Sequence, residues 1–218
     1  AGVFILNTAY MMVGNIEKNG AVVCNKKSPD GSLSPYEVNS SYINAVSKKS
    51  DSEETKIRKF LNAQSILLSF KGVPAIYVHS ILGSENYHEG VKVTGMNRTI
   101  NREKLEYDNI INELEDKNNI RNKIYNNIKN LITVRKNASA FHPNAKQEVL
   151  DFGDKVFSFM RTSLDGTQKL LVINNISNEE IKLDLSYEVS EKLAASSASL
   201  ENNTATLEPY GFMWILVK

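Results

Sequence analysis

An amphipathic helix pattern followed at once by a short apolar run constrains the fold of this chain most strongly. Apolar residues recur at helical spacing from Ile57 to Leu68, behind a possible capping sequence at residues 51–54, Asp-Ser-Glu-Glu. Gly72 ends the pattern, and residues 73–78, Val-Pro-Ala-Ile-Tyr-Val, form a run of strand length. Such a run is typical of a parallel strand that is buried on both faces. The order of helix, tight turn and strand predicts an α/β unit.

Further elements are predicted on both sides of this unit. Upstream, we expect a helix at residues 11–18, a strand at 21–24 and a loop at 28–34. Downstream, we expect helices at residues 102–116 and about 119–136. The last helix carries a basic face formed by Arg121, Lys123, Lys129, Arg135 and Lys136. We interpret it as a solvated face rather than a nucleic-acid surface, because the net charge is only +1.

The pattern changes to short strands after residue 145. Strands are predicted at residues 149–152, 156–160, 170–173 and 181–185, with two more within 205–217 around Pro209-Tyr210-Gly211. Regular short strands separated by turn residues indicate a small antiparallel sandwich. We therefore expect two domains, residues 1–142 and residues 143–218.

Composition excludes several classes of site. The single cysteine, Cys24, rules out an intramolecular disulfide and favours a reducing compartment. The three histidines, His79, His88 and His142, are far apart in sequence, so no metal or other cofactor is predicted. The apolar start, residues 2–6, is too short for a signal-peptide core, and no run approaches the roughly 20 residues of a membrane span. We expect a cytoplasmic protein that binds neither membrane nor nucleic acid.

Five stretches together resemble one family. They are SPDGSLSPYEVN (residues 28–39), LLSFKGVPAIYVHSILGS (67–84), TGMNRTINREKL (94–105), SAFHP (139–143) and PYGFMWIL (209–216). In this order they are similar to the sucrose phosphorylase branch of the α-amylase superfamily, glycoside hydrolase family 13. The branch includes glucosylglycerate and glucosylglycerol phosphorylases, and the match runs from about Asn19 to the end of the chain.

The resemblance implies a (β/α)8 barrel followed by a β-sandwich. A barrel needs about 250 residues, and the one convincing barrel strand here, residues 73–78, corresponds to the eighth. The predicted fold class is thus α/β plus all-β: the last helix–strand–helix part of a barrel followed by a small antiparallel β-sandwich. The absence of an initial methionine also hints at a fragment.

The resemblance further implies a retaining double displacement by an aspartate nucleophile and a glutamate acid–base. Both carboxylates, and a sugar-binding His-Asp pair that this chain lacks, are expected upstream of Ala1. No catalytic residue is therefore assigned in this chain. Glu17, Asp30, Asp51 and Glu54 are interpreted as surface charges.

A loop at residues 35–39 matches an acceptor-binding loop of the family. The resemblance implies that Tyr36 stacks on or hydrogen-bonds a sugar hydroxyl and that Glu37 accepts a hydrogen bond from a polyol. Tyr-Glu at this place is similar to the glycerol and glycerate branch, whereas sucrose phosphorylase itself has Tyr-Gln. From the residues alone, Tyr36 could equally pack the loop while Glu37 is solvated.

A second loop, residues 95–105, carries two arginines four positions apart. Arg98, Asn101 and Arg102 match the family's Arg-x-Ile-Asn-Arg pattern, which implies phosphate binding through guanidinium forks. The other interpretation is an i,i+4 pair of Arg102 with Glu106 and a solvated Arg98. Met96 stands where relatives often carry a basic residue, and the loss of that positive charge would weaken phosphate binding.

His79 ends the predicted eighth strand, at the barrel face where active sites lie. Two interpretations stay open for it: a substrate contact or a buried structural histidine. The substrate- and phosphate-binding set predicted from sequence is thus Tyr36, Glu37, His79, Arg98, Asn101 and Arg102.

Two functions compete at this point. The first is a fragment of a retaining α-glucoside phosphorylase, which would transfer glucosyl from sucrose or a glucosyl-glycerate or glucosyl-glycerol donor to inorganic phosphate. The product would be α-glucose 1-phosphate, and the chain alone would be inactive. The second is a non-catalytic sugar-binding or scaffold module. Because a lone barrel segment exposes strand edges and apolar faces, the expected partners are a sugar, phosphate, and either the missing N-terminal part or a second copy of the chain.

Overall fold

The structure, a computed structural model, describes the chain from Gly2 to Lys218, with side chains from Ala9 onward. It forms two compact units, the first at residues 2–56 and 77–125 and the second at 57–76 and 126–218. These units do not coincide with residues 1–142 and 143–218, which were predicted as barrel part and sandwich; that division stays a prediction. The apolar side chains predicted at residues 2–6 lie outside the described side chains.

The first unit is mainly helical around one hairpin. In chain order, the chain forms helix α1 (Gly2–Lys18), strands β1 (Val22–Lys27) and β2 (Leu33–Asn39), and helices α2 (Tyr42–Val46), α3 (Glu53–Ser69), α4 (Val78–Ile81), α5 (His88–Thr94), α6 (Tyr107–Glu115) and α7 (Ile120–Asn137). A 3-10 helix, Asn97–Asn101, lies between α5 and α6. Helices α3 and α7 begin in the first unit and continue in the second.

The start of α3 agrees with the predicted capping region but uses a different residue. The Ser52 hydroxyl lies 3.2 Å from the backbone N–H of Thr55 and accepts its hydrogen bond. Asp51 instead accepts from the backbone N–H of Lys48 at 2.7 Å. The cap is therefore one residue later than the sequence pattern indicated.

The predicted strand at residues 73–78 is wrong. Residues 73–77 have no strand partner in the described chain, and Val78 already begins α4. Val73, expected to be buried, is 82% exposed. A strand requires neighbours that take up its backbone hydrogen bonds, and within the described residues no strand lies beside this segment.

Two other boundaries differ from the prediction. Residues 35–39, expected as a loop, belong to strand β2, because they pair in antiparallel register with β1. The helix expected from residue 102 begins only at Tyr107. Arg102 itself has φ −134° and ends the preceding 3-10 helix, so it lies outside any α-helix.

The second unit is built on a six-stranded antiparallel sheet. Its strands are β3 (Lys146–Leu150), β4 (Val156–Thr162), β5 (Lys169–Asn175), β6 (Ile181–Asp184), β7 (Val189–Glu201) and β8 (Thr204–Val217). The order is β3-β4-β5-β8-β6, and β7 pairs with the other edge of β8. The first half of β8 pairs with β6 and the second half with β5, so the long β7–β8 hairpin joins both parts of the sheet.

Two cores cover the two faces of this sheet. Side chains on one face of the sheet, including Leu171, Ile173, Met213 and Ile215, form an apolar core with residues of β6 and β7. The alternate side chains of the same strands point to the other face, toward helix α3. There the Trp214 indole N–H donates to the Ser65 hydroxyl at 2.9 Å. The alternation is that of strands buried on both faces.

The basic face of α7 is not simply solvated. Arg135 donates to the backbone carbonyl of Leu68, in the last turn of α3, and to that of Gly72, just beyond its end. Arg121 donates to the Ser84 hydroxyl and the Leu82 carbonyl and pairs with Glu113. The predicted solvated face is therefore wrong for these two arginines, whose guanidiniums satisfy backbone and side-chain acceptors.

Candidate functional site

Strand β2 places the first two predicted site residues. The β1–β2 hairpin turns through residues 28–32, where Asp30 accepts from the Ser32 backbone N–H at 2.9 Å. The register then sets Cys24 opposite Glu37, with an irregularity immediately after Cys24. Tyr36 and Glu37 are therefore fixed by strand pairing, not carried by a free loop.

The segment after helix α5 places the two arginines. Gly95, with φ +67°, ends α5 in the left-handed conformation that favours glycine. The Thr94 hydroxyl then contacts the Met96 backbone N–H at 3.2 Å and the Thr99 hydroxyl at 2.9 Å. These contacts fold the segment into the 3-10 helix that carries Arg98.

The two segments meet in an ion pair. Arg98 Nε donates to Glu37 Oε1 at 2.8 Å, and the side chains are 62% and 25% exposed, respectively. They border a cavity of about 540 Å³, within the usual range of about 300–1,000 Å³ for small-molecule sites. The lining residues are Cys24, Tyr36, Glu37, Asn39, Met96, Asn97, Arg98, Thr99 and Arg102. We call this the charged cavity.

The electrostatics of the charged cavity centre on Glu37. Its hydrogen bond from Arg98 lowers the pKa of the Glu37 carboxyl, and Tyr36 and Arg102 act in the same direction. The same carboxylate raises the pKa of the Tyr36 phenol, so that phenol remains protonated at neutral pH. The pair with Glu37 also raises the pKa of Arg98. The cavity thus presents one carboxylate, two cations and one phenol.

Arg102 has no ion pair or side-chain hydrogen bond within the described residues. The alternative pair with Glu106 is absent there, since Arg102 precedes α6 instead of lying in it. The exposed guanidinium is open to a ligand in the charged cavity.

His79 and Asn101 lie elsewhere. Both line a second cavity of about 380 Å³, which we call the neutral cavity. His79 is in the short helix α4, not at the end of a strand, and it is buried. Its Nδ1 atom lies 3.2 Å from the Ser84 hydroxyl. Asn101 donates to the Ser40 carbonyl at 3.4 Å. The six predicted residues are thus divided four and two between two cavities.

The sequence analysis did not identify three further residues that line the charged cavity, Cys24, Asn39 and Asn97. Asn97 and Asn39 donate from their amides to the Cys24 sulfur at 3.2 and 3.6 Å. The only available signal was the hairpin itself, because the register that puts Cys24 opposite Glu37 follows from the turn at residues 28–32. The shift in strand register after Cys24 could not be predicted from the sequence.

Residues 156–211 match the family described as the alpha-amylase SusG C-terminal domain. The chain also resembles solved structures of a mutant trehalulose synthase (TM-score 0.59, 18% identity) and of an isomaltulose synthase mutant from Erwinia rhapontici (TM-score 0.57, 15% identity). Each similarity covers 74% of this chain and 38% of the other. At such identity these structures show the fold alone; with the family match they support the predicted fold class, most directly its C-terminal antiparallel β-sandwich.

Curated relatives refine this class. The chain is 41% identical over 169 residues to a glucosylglycerate phosphorylase of Spirochaeta thermophila, covering 78% of this chain and 29% of the relative. It is 37% identical over 204 residues to that of Escherichia coli, covering 94% and 36%. These relatives confirm the predicted resemblance to the glucosylglycerate phosphorylase branch, and the chain spans about a third of their length. In the described part of the chain, no helix has the length and apolar character to cross a membrane.

Proposed function

We propose that this chain forms the acceptor- and phosphate-binding part of a retaining α-glucoside phosphorylase. The reaction would break the bond between the glucosyl C1 and the glycerate oxygen and form a bond from C1 to a phosphate oxygen. The products are α-glucose 1-phosphate and glycerate, which receives the proton released by phosphate. The names of the curated relatives favour a glucosylglycerate-type donor over sucrose.

The observation that carries this proposal is the meeting of Glu37, Arg98 and Arg102 around one cavity. Guanidinium groups suit phosphate and carboxylate oxygens because their planar donors match both oxygens of an anion. Glu37, held ionised by Arg98, suits a hydroxyl donor from the acceptor. Phosphate and glycerate are both anions, so the two arginines serve either ligand.

In this proposal the catalytic carboxylates belong to a longer protein. The curated relatives are about three times as long as their aligned parts. The partner is then the remaining part of the same enzyme, and a homo-oligomer is the alternative.

The test compares the 218-residue chain with the complete product of its gene. Each is incubated with inorganic phosphate and either glucosylglycerate or sucrose, and α-glucose 1-phosphate is followed by phosphorus NMR. We expect product only from the complete protein, and faster from glucosylglycerate. Formation of α-glucose 1-phosphate by the isolated chain would refute the proposal that the catalytic carboxylates lie outside it. No formation by the complete protein, with micromolar binding of glucosides to the chain alone, would favour the sugar-binding module.

A further inference from the structure

The neutral cavity differs chemically from the charged cavity. No Asp, Glu, Lys or Arg lines it within the described residues. Its polar side chains are hydroxyls, one amide and one imidazole, from Ser40, Ser41, Tyr42, Tyr77, Ser80, Ser84, Asn101 and His79. Hydroxyls and amides both donate and accept hydrogen bonds, which is what a polyhydroxy ligand requires. An anion would find no full positive charge among the lining side chains.

A relay of three side chains connects His79 to helix α7. His79 Nδ1 lies 3.2 Å from Ser84 Oγ. Arg121 Nη1 donates to the same hydroxyl at 2.8 Å and to the Leu82 carbonyl at 3.0 Å. Arg121 Nε is paired with Glu113 at 2.6 Å, and the arginine side chain is only 15% exposed. The guanidinium is thus held on both sides.

The hydrogen-bonding capacity of each group limits the arrangements of this relay. A guanidinium only donates, so Ser84 Oγ accepts from Arg121. Ser84 Oγ can then either donate its single proton to His79 Nδ1 or accept from an Nδ1–H with its second lone pair, and the two arrangements correspond to different tautomers of the ring. A histidine that accepts at Nδ1 is neutral and carries its proton on Nε2. No hydrogen bond to Nε2 occurs within the described chain, so in that tautomer the N–H remains available.

The charges around His79 agree with a neutral ring. Burial is the main factor that lowers the pKa of His79, and the positive charge of Arg121 lowers it further. Glu103 acts in the opposite direction with a smaller effect than burial. The Tyr77 ring, 5.2 Å from the imidazole between centroids, brings no charge.

We infer that Arg121 and Ser84 are positioning residues that hold His79 as a neutral Nε2–H donor, and that the neutral cavity binds the uncharged, hydroxyl-bearing part of the ligand. This inference rests on the proposed function for the identity of the ligand, a glucosyl or polyol moiety. The charged cavity then takes the anionic part. Specificity for the ligand would come from placing the charged hydrogen-bond donors in one cavity and the neutral donors in the other.

The first test measures the protonation of the ring directly. The chain contains three histidines, so nitrogen-15 histidine labelling gives three ring systems, assigned with His88→Gln and His142→Gln variants. We expect His79 to show a single neutral Nε2–H form at pH 7, and Ser84→Ala to give a mixture of forms. An Nδ1–H form or an imidazolium in the wild type would overturn the inference. This readout does not depend on enzyme activity.

The second test measures binding to the complete gene product. Glucosylglycerol serves as a neutral probe and inorganic phosphate as an anionic one. Ser84→Ala and Arg121→Gln should weaken glucosylglycerol binding about three- to tenfold and leave phosphate binding within about twofold. Ser84→Thr, which keeps the hydroxyl, should restore most of the affinity. Lys123→Gln removes a charge from the same helix at an exposed pair with Glu53 and serves as the control.

The outcomes separate the two proposals. Unchanged glucosylglycerol affinity in Ser84→Ala, in a protein that carries out phosphorolysis, would overturn the inference alone. A protein that lacks phosphorolysis but keeps the Nε2–H form and the Ser84-dependent binding would refute the proposed function alone. Equal weakening of phosphate and glucosylglycerol would contradict the division into neutral and charged cavities.

Discussion

Arg98 Nε lies 2.8 Å from Glu37 Oε1, although 61 residues separate the two in sequence. The pair closes one side of the charged cavity and occupies one of the guanidinium donors. An incoming anion must therefore use the remaining N–H groups of Arg98 or bind Arg102. In the proposed function, Glu37 therefore tunes the affinity of the cavity for an anion.

Replacing Glu37 with Gln should strengthen phosphate binding several-fold. Among the described residues, Glu37 is the one carboxylate that lines the charged cavity, and its replacement frees Arg98. It should also weaken the acceptor, because a neutral amide is a poorer hydrogen-bond acceptor than a carboxylate. Calorimetry with inorganic phosphate and steady-state assays with glycerate as the acceptor measure both effects.

Glu89→Gln provides the matched control for this change. It removes the same charge from an exposed pair with Lys92 in the same unit. We expect no change in phosphate affinity. Weaker phosphate binding in Glu37→Gln would mean that Arg98 needs Glu37 to hold its orientation, contrary to a competition between the carboxylate and the ligand.

Arg102→Gln should weaken phosphate binding about ten- to hundredfold, because a charge-assisted hydrogen bond is lost and Arg98 stays engaged with Glu37. Arg102→Lys should recover only part of the affinity, since an ammonium cannot bind bidentately. The measurement is the phosphate KM of the complete enzyme. An equal phosphate KM for Arg102→Gln and the wild type would show that Arg102 does not contribute to phosphate binding.

Much of the fold follows from periodicity, and its failures have physical causes. The pattern at residues 57–68 and the strand runs near 156 and 170 were predicted correctly, because each buries apolar side chains at the spacing of its element. The strand at 73–78 failed because its sequence specifies a strand only when neighbours are present.

Strand β7 was missed because its sequence, rich in Ser and Ala, has low β-propensity. Its pairing with β8 supplies the stability that its residues lack. Strand β8 was predicted as two strands around Gly211, yet it is continuous. A Cβ at Gly211 would come within 2.2 Å of the Ser197 carbonyl oxygen, so the close approach of β7 and β8 there requires glycine.

The charged cavity was predictable in part. The family resemblance implied anion and hydroxyl binding at residues 36, 37, 98 and 102, and the structure brings all four to one cavity. Their contacts depend on hairpin register and on a 3-10 turn, neither of which periodicity reveals. The relay from Arg121 to His79 was hidden because Arg121 appeared to belong to a solvated face.

Asp165 should make the stability of the second unit dependent on pH. Hydrogen bonds from the Ser163 hydroxyl and from the Thr167 backbone and hydroxyl lower the pKa of its carboxyl to about 2, from 3.8. A depressed folded-state pKa stabilises the protein above the unfolded value, and that contribution is lost as pH falls through about 2. Denaturant unfolding at several pH values between 5 and 2 measures it.

The comparison with Asp165→Asn isolates this carboxylate from all others. We expect the wild type to be more stable than the variant at pH 5 and the difference to shrink steadily toward pH 2. A difference that is constant over this range would show that the turn around Gly166 is stabilised by the shape of the side chain, not by its charge.

Arg161 should be the most sensitive charged residue of the second unit. It is fully buried, and it donates to the carbonyls of Ser69, His142 and Lys146 at 2.7, 2.8 and 3.3 Å. Burial and then the nearby charge of Arg135 lower the pKa of Arg161 to about 10, so the guanidinium is still charged at neutral pH. Its hydrogen bonds offset the cost of burying that charge.

Arg161→Met should therefore lower the free energy of unfolding by about 3 kcal/mol, because three carbonyls lose their donor. Arg161→Lys should lose less, since an ammonium can reach some of these acceptors but lacks the fork that spans all three. The single tryptophan, Trp214, is buried in the same unit, so its fluorescence during urea denaturation reports this unfolding directly. Lys182→Met, at an exposed position on β6, should change stability by about 0.5 kcal/mol or less. A similarly small change for Arg161→Met would mean that water replaces the guanidinium at the three carbonyls.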